Sequence, residues 1–437
     1  MTDTSEGGFK EKYDTIVVGA GIVGLSSAYH IISEDPSAKV LVIEKALSAG
    51  QGDSGKSAAG VRTVFTSGVN RLLAETSIDF YSHLQNDLKI PVNLDLIGYL
   101  WLLTDRMFDE FSPRMDKLQR DGVRLRIWDQ KELAEMLPEA RLIVRSDDEE
   151  AKLMRLESIS KGVQGLKCGT VAPEKLIEFY ANEIRKMGVE LRYGERVTSL
   201  IIEPTPKLNL PTEPFVWEHV NFAGVRTSKS EFRSDSTILA TGAWTSSLLD
   251  PLGIDCHIRT KKRQLFTFRG PKITSLVNSK GFNKQNRIPM TFIPPTNLYF
   301  RPNSADSSLW VGVSDHLGRS FSFEEDPIAE EEFYEHNIYP VLSHYFPAFV
   351  DARPFNKWAG HYDMNTIDGN PYVFGASGLV AVAGCSGSGM QKADAIGRIV
   401  AAASLKKDMA TLFGGRSFKV SRLGVEKRDV EHEDLVI

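Results

Sequence analysis

The residues whose spacing most directly implies chemistry are Gly19-Ala20-Gly21-Ile22-Val23-Gly24. They fall between an apolar run and a helix-like stretch. There the first glycine permits a tight turn, the second lets backbone approach a pyrophosphate, and the third lets helix and strand pack closely. Glu44 ends the next apolar run twenty residues after Gly24, with Lys45 beside it. A carboxylate at that distance can accept hydrogen bonds from both ribose hydroxyls of an adenosine. A plain glycine turn with a surface acid would not need strand, helix and acid in this order. The motif alone does not choose between FAD and a nicotinamide dinucleotide.

Two further segments bear on that choice. Gly50 to Arg62 is small and hydroxyl-rich, with Ser54, Lys56, Ser57, Ala58, Ala59 and Gly60 at its centre. Such a loop can wrap the far side of a pyrophosphate and lay backbone against a flat ring, which favours FAD over a nicotinamide-only site. Arg62 has three readings: a ligand for a substrate carboxylate, a contact on the flavin, or an ordinary surface arginine. Gly384-Cys385-Ser386-Gly387-Ser388-Gly389, followed by Met390 and Gln391, again joins strand to helix. Its free N–H groups and the positive helix end suit the negative charge that reduced flavin carries at N1 and the C2 carbonyl. Cys385 reads as a small packed residue rather than a covalent link.

The elements that must hold these segments are legible as alternating strands and helices. Tyr13 to Val18, Ile22 to Ser33 and Val40 to Glu44 form a βαβ unit. Val92 to Glu150 turns charged and helix-leaning and reads as a different domain. Pro173 to Met187 is a helix leading to the strand Val189 to Tyr193, and the run Thr237 to Ala240 ends at Thr241-Gly242. Leu265 to Trp310 is rich in aromatic and β-branched residues between turns, predicting a mostly antiparallel sheet that walls a substrate site. Leu379 to Ala383 is the strand before the last glycine turn, and the tail after Gly415 reads as surface-bound. The fold class is therefore α/β: a Rossmann-like FAD-binding domain (1–91, 160–255 and 356–437) interleaved with an α+β substrate domain (92–159 and 256–355).

Bulk properties agree with small-molecule chemistry. The 437 residues are 42% hydrophobic and 25% charged with a net charge of −5, which gives no cationic surface for nucleic acid. The three cysteines are widely spaced, so neither a disulfide framework nor a metal site is expected. No run approaches a membrane span, and the expected location is the cytoplasm, at most peripheral to a membrane.

These pieces, with Gly169-Thr-Val-Ala-Pro-Glu-Lys-Leu, Ile238-Leu-Ala240-Thr241-Gly242-Ala-Trp244 and Trp358-Ala-Gly-His-Tyr-Asp-Met-Asn-Thr-Ile-Asp-Gly369, resemble the D-amino-acid oxidase superfamily over nearly the whole chain. Within it, Gly52 to Phe65, Lys261-Lys-Arg263 and Gly384 to Gly389 are most similar to the archaeal dye-linked L-proline dehydrogenases. The resemblance implies that Gly19, Gly21, Gly24, Glu44 and Lys45 hold the adenosine half of FAD. It places Ser54, Lys56 and Ser57 on the pyrophosphate, Val197 at the adenine, and Ala240 and Gly242 along the cofactor. Ala59, Gly60 and Arg62 would meet the isoalloxazine from one side and Gly387 to Gln391 from the other.

Departures from the family refine the expectation. Gly360 stands where sarcosine oxidases attach FAD through a cysteine, and the first flavin loop lacks the histidine that dimethylglycine-type relatives use, so FAD is expected to be non-covalent. Trp310 replaces a lysine that promotes reaction with oxygen, which favours a dehydrogenase. Gln391 and Phe65 replace two cations that bind carboxylate, leaving that task to Arg62, Tyr362 and Arg301. The implied reaction removes a hydride from the carbon next to the nitrogen of L-proline to give 1-pyrroline-5-carboxylate. Electrons would leave to a quinone or an electron-transfer protein. Sarcosine, another N-methyl amino acid or hydroxyproline as substrate, and a non-catalytic flavoprotein assembly factor, remain alternatives.

Overall fold

The computed structural model describes residues 12–315 and 318–435. Its first sheet places Lys12–Val18 between two parallel neighbours, Val40–Ile43 and Glu231–Leu239, and continues through Leu379–Ala383 to Tyr372–Ala376 on one side and Glu190–Arg192 on the other. Ile16, Val17 and Val40 to Ile43 are buried, as the two covered faces of a parallel sheet require. Strands Val197–Pro204 and Val220–Thr227 form an antiparallel extension. The proline-punctuated 205–219 connects them.

Helices Ile22–Glu34 and Gly389–Ser404 pack against each other beneath this sheet. Their approach is close: a Cβ on Gly397 would lie 2.3 Å from Ser26 Oγ. Ala393, Ile396, Ile399 and Val400 are buried while Ala403 is only partly so, and the long helix is enclosed on nearly every side.

The second sheet has the order Asn356–Met364, Arg259–Phe268, Ser308–Val313, Leu298–Asn303, Met290–Ile293, Tyr99–Leu103, Lys161–Gly165, Leu125–Asp129. All its pairs are antiparallel except Met290–Ile293 with Tyr99–Leu103. One face buries Phe266, Phe268 and Phe300 under the helices around 271–277 and 331–349. The other carries Tyr99, Trp101, Leu265, Met290 and Tyr299 and turns toward the glycine loops. Strict alternation along each strand separates the two sets.

Lys161–Gly165 and Asn356–Met364 pair within the second sheet, the latter along its whole length with Arg259–Phe268. Two expectations need correction. The charged stretch after Val92 contains a fully buried strand, Tyr99–Leu103, because cross-strand burial outweighs the polar flanks. The tail after Gly415 is not merely surface-bound: Phe418, Leu423 and Glu433 are buried. Among the described residues, no helix is long and apolar enough to cross a membrane.

Candidate functional site

Between the sheets lies a cleft of about 1520 Å³ including its open mouth, larger than a small amine alone requires. Its wall begins at the first glycine turn. Gly19 has φ +101°, and a Cβ there would meet Ala240 O at 2.5 Å; one on Gly24 would meet Gly19 O at 2.0 Å. The turn is therefore closed to any side chain at these positions. Ala20 N–H donates to Glu44 Oε2 (2.8 Å) and Ala46 N–H to Oε1 (2.9 Å), fixing the carboxylate on the cleft wall with a second lone-pair direction free on each oxygen. Lys45 is committed elsewhere: its Nζ lies 3.6 Å over the Trp244 ring and 2.8 Å from Glu325. Hydrogen bonds from Arg196, with Lys45 and Trp244 adding to them, hold the Glu325 carboxyl down to about 2.

The helix that starts at Ile22 has no cap from Gly21; instead Ser54 Oγ accepts the Ile22 N–H at 3.0 Å. This hydroxyl stands where a pyrophosphate would meet the positive helix end. Val23, Lys56, Ser57, Val197, Thr241 and Gly242 line the same cleft. Ser57 Oγ accepts Ala59 N–H, and Ala59 has φ +48°. That left-handed turn brings Gly60 beneath Tyr99, whose hydroxyl would lie 2.0 Å from a Cβ at Gly60.

On the opposite side, Gly384 (φ +70°) and Gly387 (φ +77°) shape the second turn, and a Cβ on Gly387 would sit 2.1 Å from the Tyr362 ring. Ser388 Oγ donates to Cys385 O, Met390 O accepts from Tyr81 Oη, and Gln391 Oε1 accepts the Arg62 N–H at 2.8 Å. The two glycine loops are thus joined directly. Cys385 lines the cleft, with its thiol pushed up by burial.

The structure divides the sequence-predicted substrate residues. Tyr362 lines the cleft, its hydroxyl pushed up by burial and opposed by Arg263 and Arg62. Arg62 is buried beside it, over the Phe65 ring at 4.0 Å, with Nη1 donating to Val64 O and Nη2 to Leu435 O. Arg301 and Trp310 stand one layer back. Arg301 Nη1 donates to Ala58 O at 2.6 Å, and its guanidinium, pulled down to about 10 by burial, lies 4.1 Å over Trp310. Trp310 packs edge-to-face on Trp358. Arg301 therefore braces the flavin loop.

Sequence reasoning gave no site role to Tyr99, Tyr299, Arg263, His361 or Asp363, although the last three lie in motifs that carry the resemblance. Arg263 donates Nη1 to Asp315 at 2.8 Å, while its buried Nε and Nη2 have no hydrogen-bond partner among the described residues; His361 Nδ1 lies 3.4 Å from Asp53 Oδ1. Asp363 is pushed up to about 6 by burial, with Asp53 adding repulsion, although it accepts the Cys385 N–H. The tyrosines were hidden as ordinary strand aromatics; only the Lys261-Lys262-Arg263 run signalled a charged strand.

Glycine turns that admit no Cβ, a fixed carboxylate and a helix start capped only by a hydroxyl all fit FAD. Fold and cleft together define a flavin-dinucleotide oxidoreductase. A family model described as DAO, FAD dependent oxidoreductase, matches residues 14–403, and the chain belongs to this family, with FAD as its cofactor.

Among curated proteins the chain is similar to FAD-dependent oxidoreductase domain-containing protein 1 of Xenopus laevis, 23% identical over 90% of this chain and 79% of that protein. It is also similar to mitochondrial dimethylglycine dehydrogenase of Rattus norvegicus, 26% identical over 56% of this chain and 25% of that protein. Two solved structures share the fold: L-proline dehydrogenase from P. horikoshii (TM-score 0.72, 21% identity, covering 91% of this chain and 94% of that one) and glycine oxidase from Geobacillus kaustophilus (TM-score 0.71, 20% identity, covering 91% and 95%).

Proposed function

We propose that this protein oxidises a secondary amino acid at a carbon next to nitrogen, L-proline to 1-pyrroline-5-carboxylate, using non-covalent FAD and an electron acceptor other than oxygen. The observation that carries the reading is the unpaired, buried Nε and Nη2 of Arg263 beside Tyr299 and Tyr362 in the cleft wall. Two adjacent guanidinium N–H groups with no acceptor among the described residues suit a bidentate anion, and a substrate carboxylate is that anion. Tyr99, Met290, Tyr299 and Tyr362 add a largely aromatic wall suited to a small ring. The fold likeness to an L-proline dehydrogenase supports the same reading.

Bound in the cleft, FAD supplies a two-electron acceptor for a hydride. The chain's own residues bind and orient. Arg263 fixes the carboxylate; Tyr299 and Tyr362, whose hydroxyls burial keeps protonated, offer donors without negative charge. The amine enters neutral, no side chain has to abstract its C–H proton, and positioning supplies much of the rate. At Gly360 there is no side-chain nucleophile, and a Cβ there would lie 3.3 Å from Asp53 and Lys56.

The test is to incubate FAD-loaded protein with L-proline and an artificial dye and trap the product as its o-aminobenzaldehyde adduct. The trapped pyrroline is expected with dye present. Faster turnover of sarcosine or dimethylglycine than of L-proline at equal concentration, or air replacing the dye without loss, would contradict the reading.

A further inference from the structure

Glu433 lies far along the chain from every glycine turn, yet its carboxylate is buried against the first flavin loop. Oε1 accepts Thr66 N–H, Thr66 Oγ1–H and Leu435 N–H at 3.1, 2.9 and 3.0 Å; Oε2 accepts Ser67 N–H at 3.1 Å and Asn70 Nδ2 at 3.3 Å. A carboxylate with five donors is an organising centre, because a buried carboxylate is tolerated only when donors satisfy it.

The segment that delivers it is anchored on both sides. Arg428 grips Asp368 through Nε (2.6 Å) and Nη2 (2.7 Å), Glu433 N–H donates to Asp368 O, and Asn370 Nδ2 donates to Glu431 O. Beyond Glu433, Leu435 O takes one guanidinium N–H of Arg62.

From Asn70 the network reaches the second glycine turn. Asn70 Oδ1 accepts Lys392 Nζ at 2.6 Å, Lys392 Nζ also reaches Ser388 Oγ at 2.6 Å, and Ser388 Oγ donates to Cys385 O. Lys392 is fully buried; burial pushes its ammonium down to about 7, and Glu433 is the largest effect opposing that shift. The Glu433 carboxylate therefore links the helix start that follows the first glycine loop to the second glycine turn, and it lines the same small cavity as Arg62, Tyr99, Tyr299 and Tyr362.

We infer that the segment Arg428–Leu435 is a working wall of the substrate pocket, with Glu433 a positioning residue that sets Arg62 through Leu435, orders Thr66 to Asn70 at the first turn of the helix Gly68–Asn86, and sets the 384–389 turn through Asn70 and Lys392. The inference rests on the amino-acid oxidation proposed above. It requires Glu433 to act on ligand affinity more than on folding, since the adenosine half of the cleft, from Gly19 to Glu44, does not touch it.

The test uses FAD-loaded full-length protein, wild type against Glu433→Gln. Two quantities are read: backbone hydrogen exchange at Thr66 to Asn70, and the affinity for tetrahydro-2-furoate, a ring carboxylate with no amine to oxidise, followed by perturbation of the flavin's visible band. The variant is expected to exchange faster at that turn and to bind the carboxylate about tenfold more weakly, with FAD content retained. Unchanged exchange, or unchanged affinity, overturns the inference. If Glu433→Gln does not accumulate, full-length Glu433→Asp, which keeps the charge but shortens its reach, is read in the same two ways: faster exchange with weaker carboxylate binding supports the inference, and unchanged affinity overturns it. A wild-type protein whose flavin no amine reduces contradicts the functional reading and leaves the exchange measurement decisive for the wall.

Discussion

Replacing Gly387 by alanine isolates the contact on which the second half of the cleft depends. The position has φ +77°, and the added Cβ would stand 2.1, 2.4 and 2.5 Å from Cε2, Cζ and Cδ2 of Tyr362. The left-handed backbone alone costs about 1–2 kcal/mol for a non-glycine residue. The overlap is larger in consequence. The nearest distance falls roughly 1.3 Å short of ordinary contact, and the ring has to move by about that much. A displacement near 1 Å at a substrate-positioning group lowers turnover by about a hundredfold. Gly253→Ala is the control, because Gly253 has a similar φ of +71° and open space around its Cβ. The assay is anaerobic flavin reduction by L-proline alongside thermal unfolding of both variants. Gly387→Ala should lose about a hundredfold in kcat/KM and Gly253→Ala should lose only stability, about 1–2 kcal/mol. Equal reduction rates in the two variants would refute the reasoning.

Three further outcomes follow from the same geometry. Glu44→Ala removes the acceptor of Ala20 N–H and should weaken FAD binding about ten- to a hundredfold, read by titrating apoprotein and following flavin fluorescence. Arg301→Lys should lower stability by about 1–3 kcal/mol through the lost Ala58 contact while leaving KM for the amino acid within about threefold; a large KM rise at unchanged stability would place Arg301 on the substrate instead. Asp363 is raised from its ordinary value of 3.8 to about 6, so its contribution to stability is complete below about 4 and is lost as pH rises through about 6. The thermal midpoint of the apoprotein should therefore carry a falling component over that window that Asp363→Asn removes, and an identical pH profile in the variant would contradict this.

The cofactor half was readable in sequence because its chemistry leaves no alternative residues. A backbone that must approach a phosphate needs glycine, and Gly19, Gly24 and Gly387 are places where any Cβ collides. The parallel strands were equally plain, since both faces are covered and Val40 to Ile43 is apolar throughout. The substrate half was less legible for a geometric reason. Tyr299 and Arg301 share the sheet face opposite Leu298 and Phe300, but whether a side chain on that face reaches the cleft or stops one layer short depends on strand order, which periodicity does not encode. Arg301 and Trp310 were placed too far forward for that reason. The pairing of Asn356–Met364 with Arg259–Phe268 could not be read from sequence because its partner is decided by long-range pairing. Glu433 was invisible because the donors that make its burial tolerable, Thr66, Ser67 and Asn70, are more than three hundred and fifty residues away.

The central claim is that Arg263 and the aromatic wall hold an amino acid against FAD so that it gives up a hydride. The most direct measurement is the visible spectrum of purified, FAD-containing protein mixed anaerobically with a panel of amino acids and secondary amines. Bleaching by L-proline, abolished or weakened at least about tenfold in KM by Arg263→Met, is the predicted result. A flavin that no member of the panel reduces would contradict the account and point instead to a non-catalytic flavoprotein.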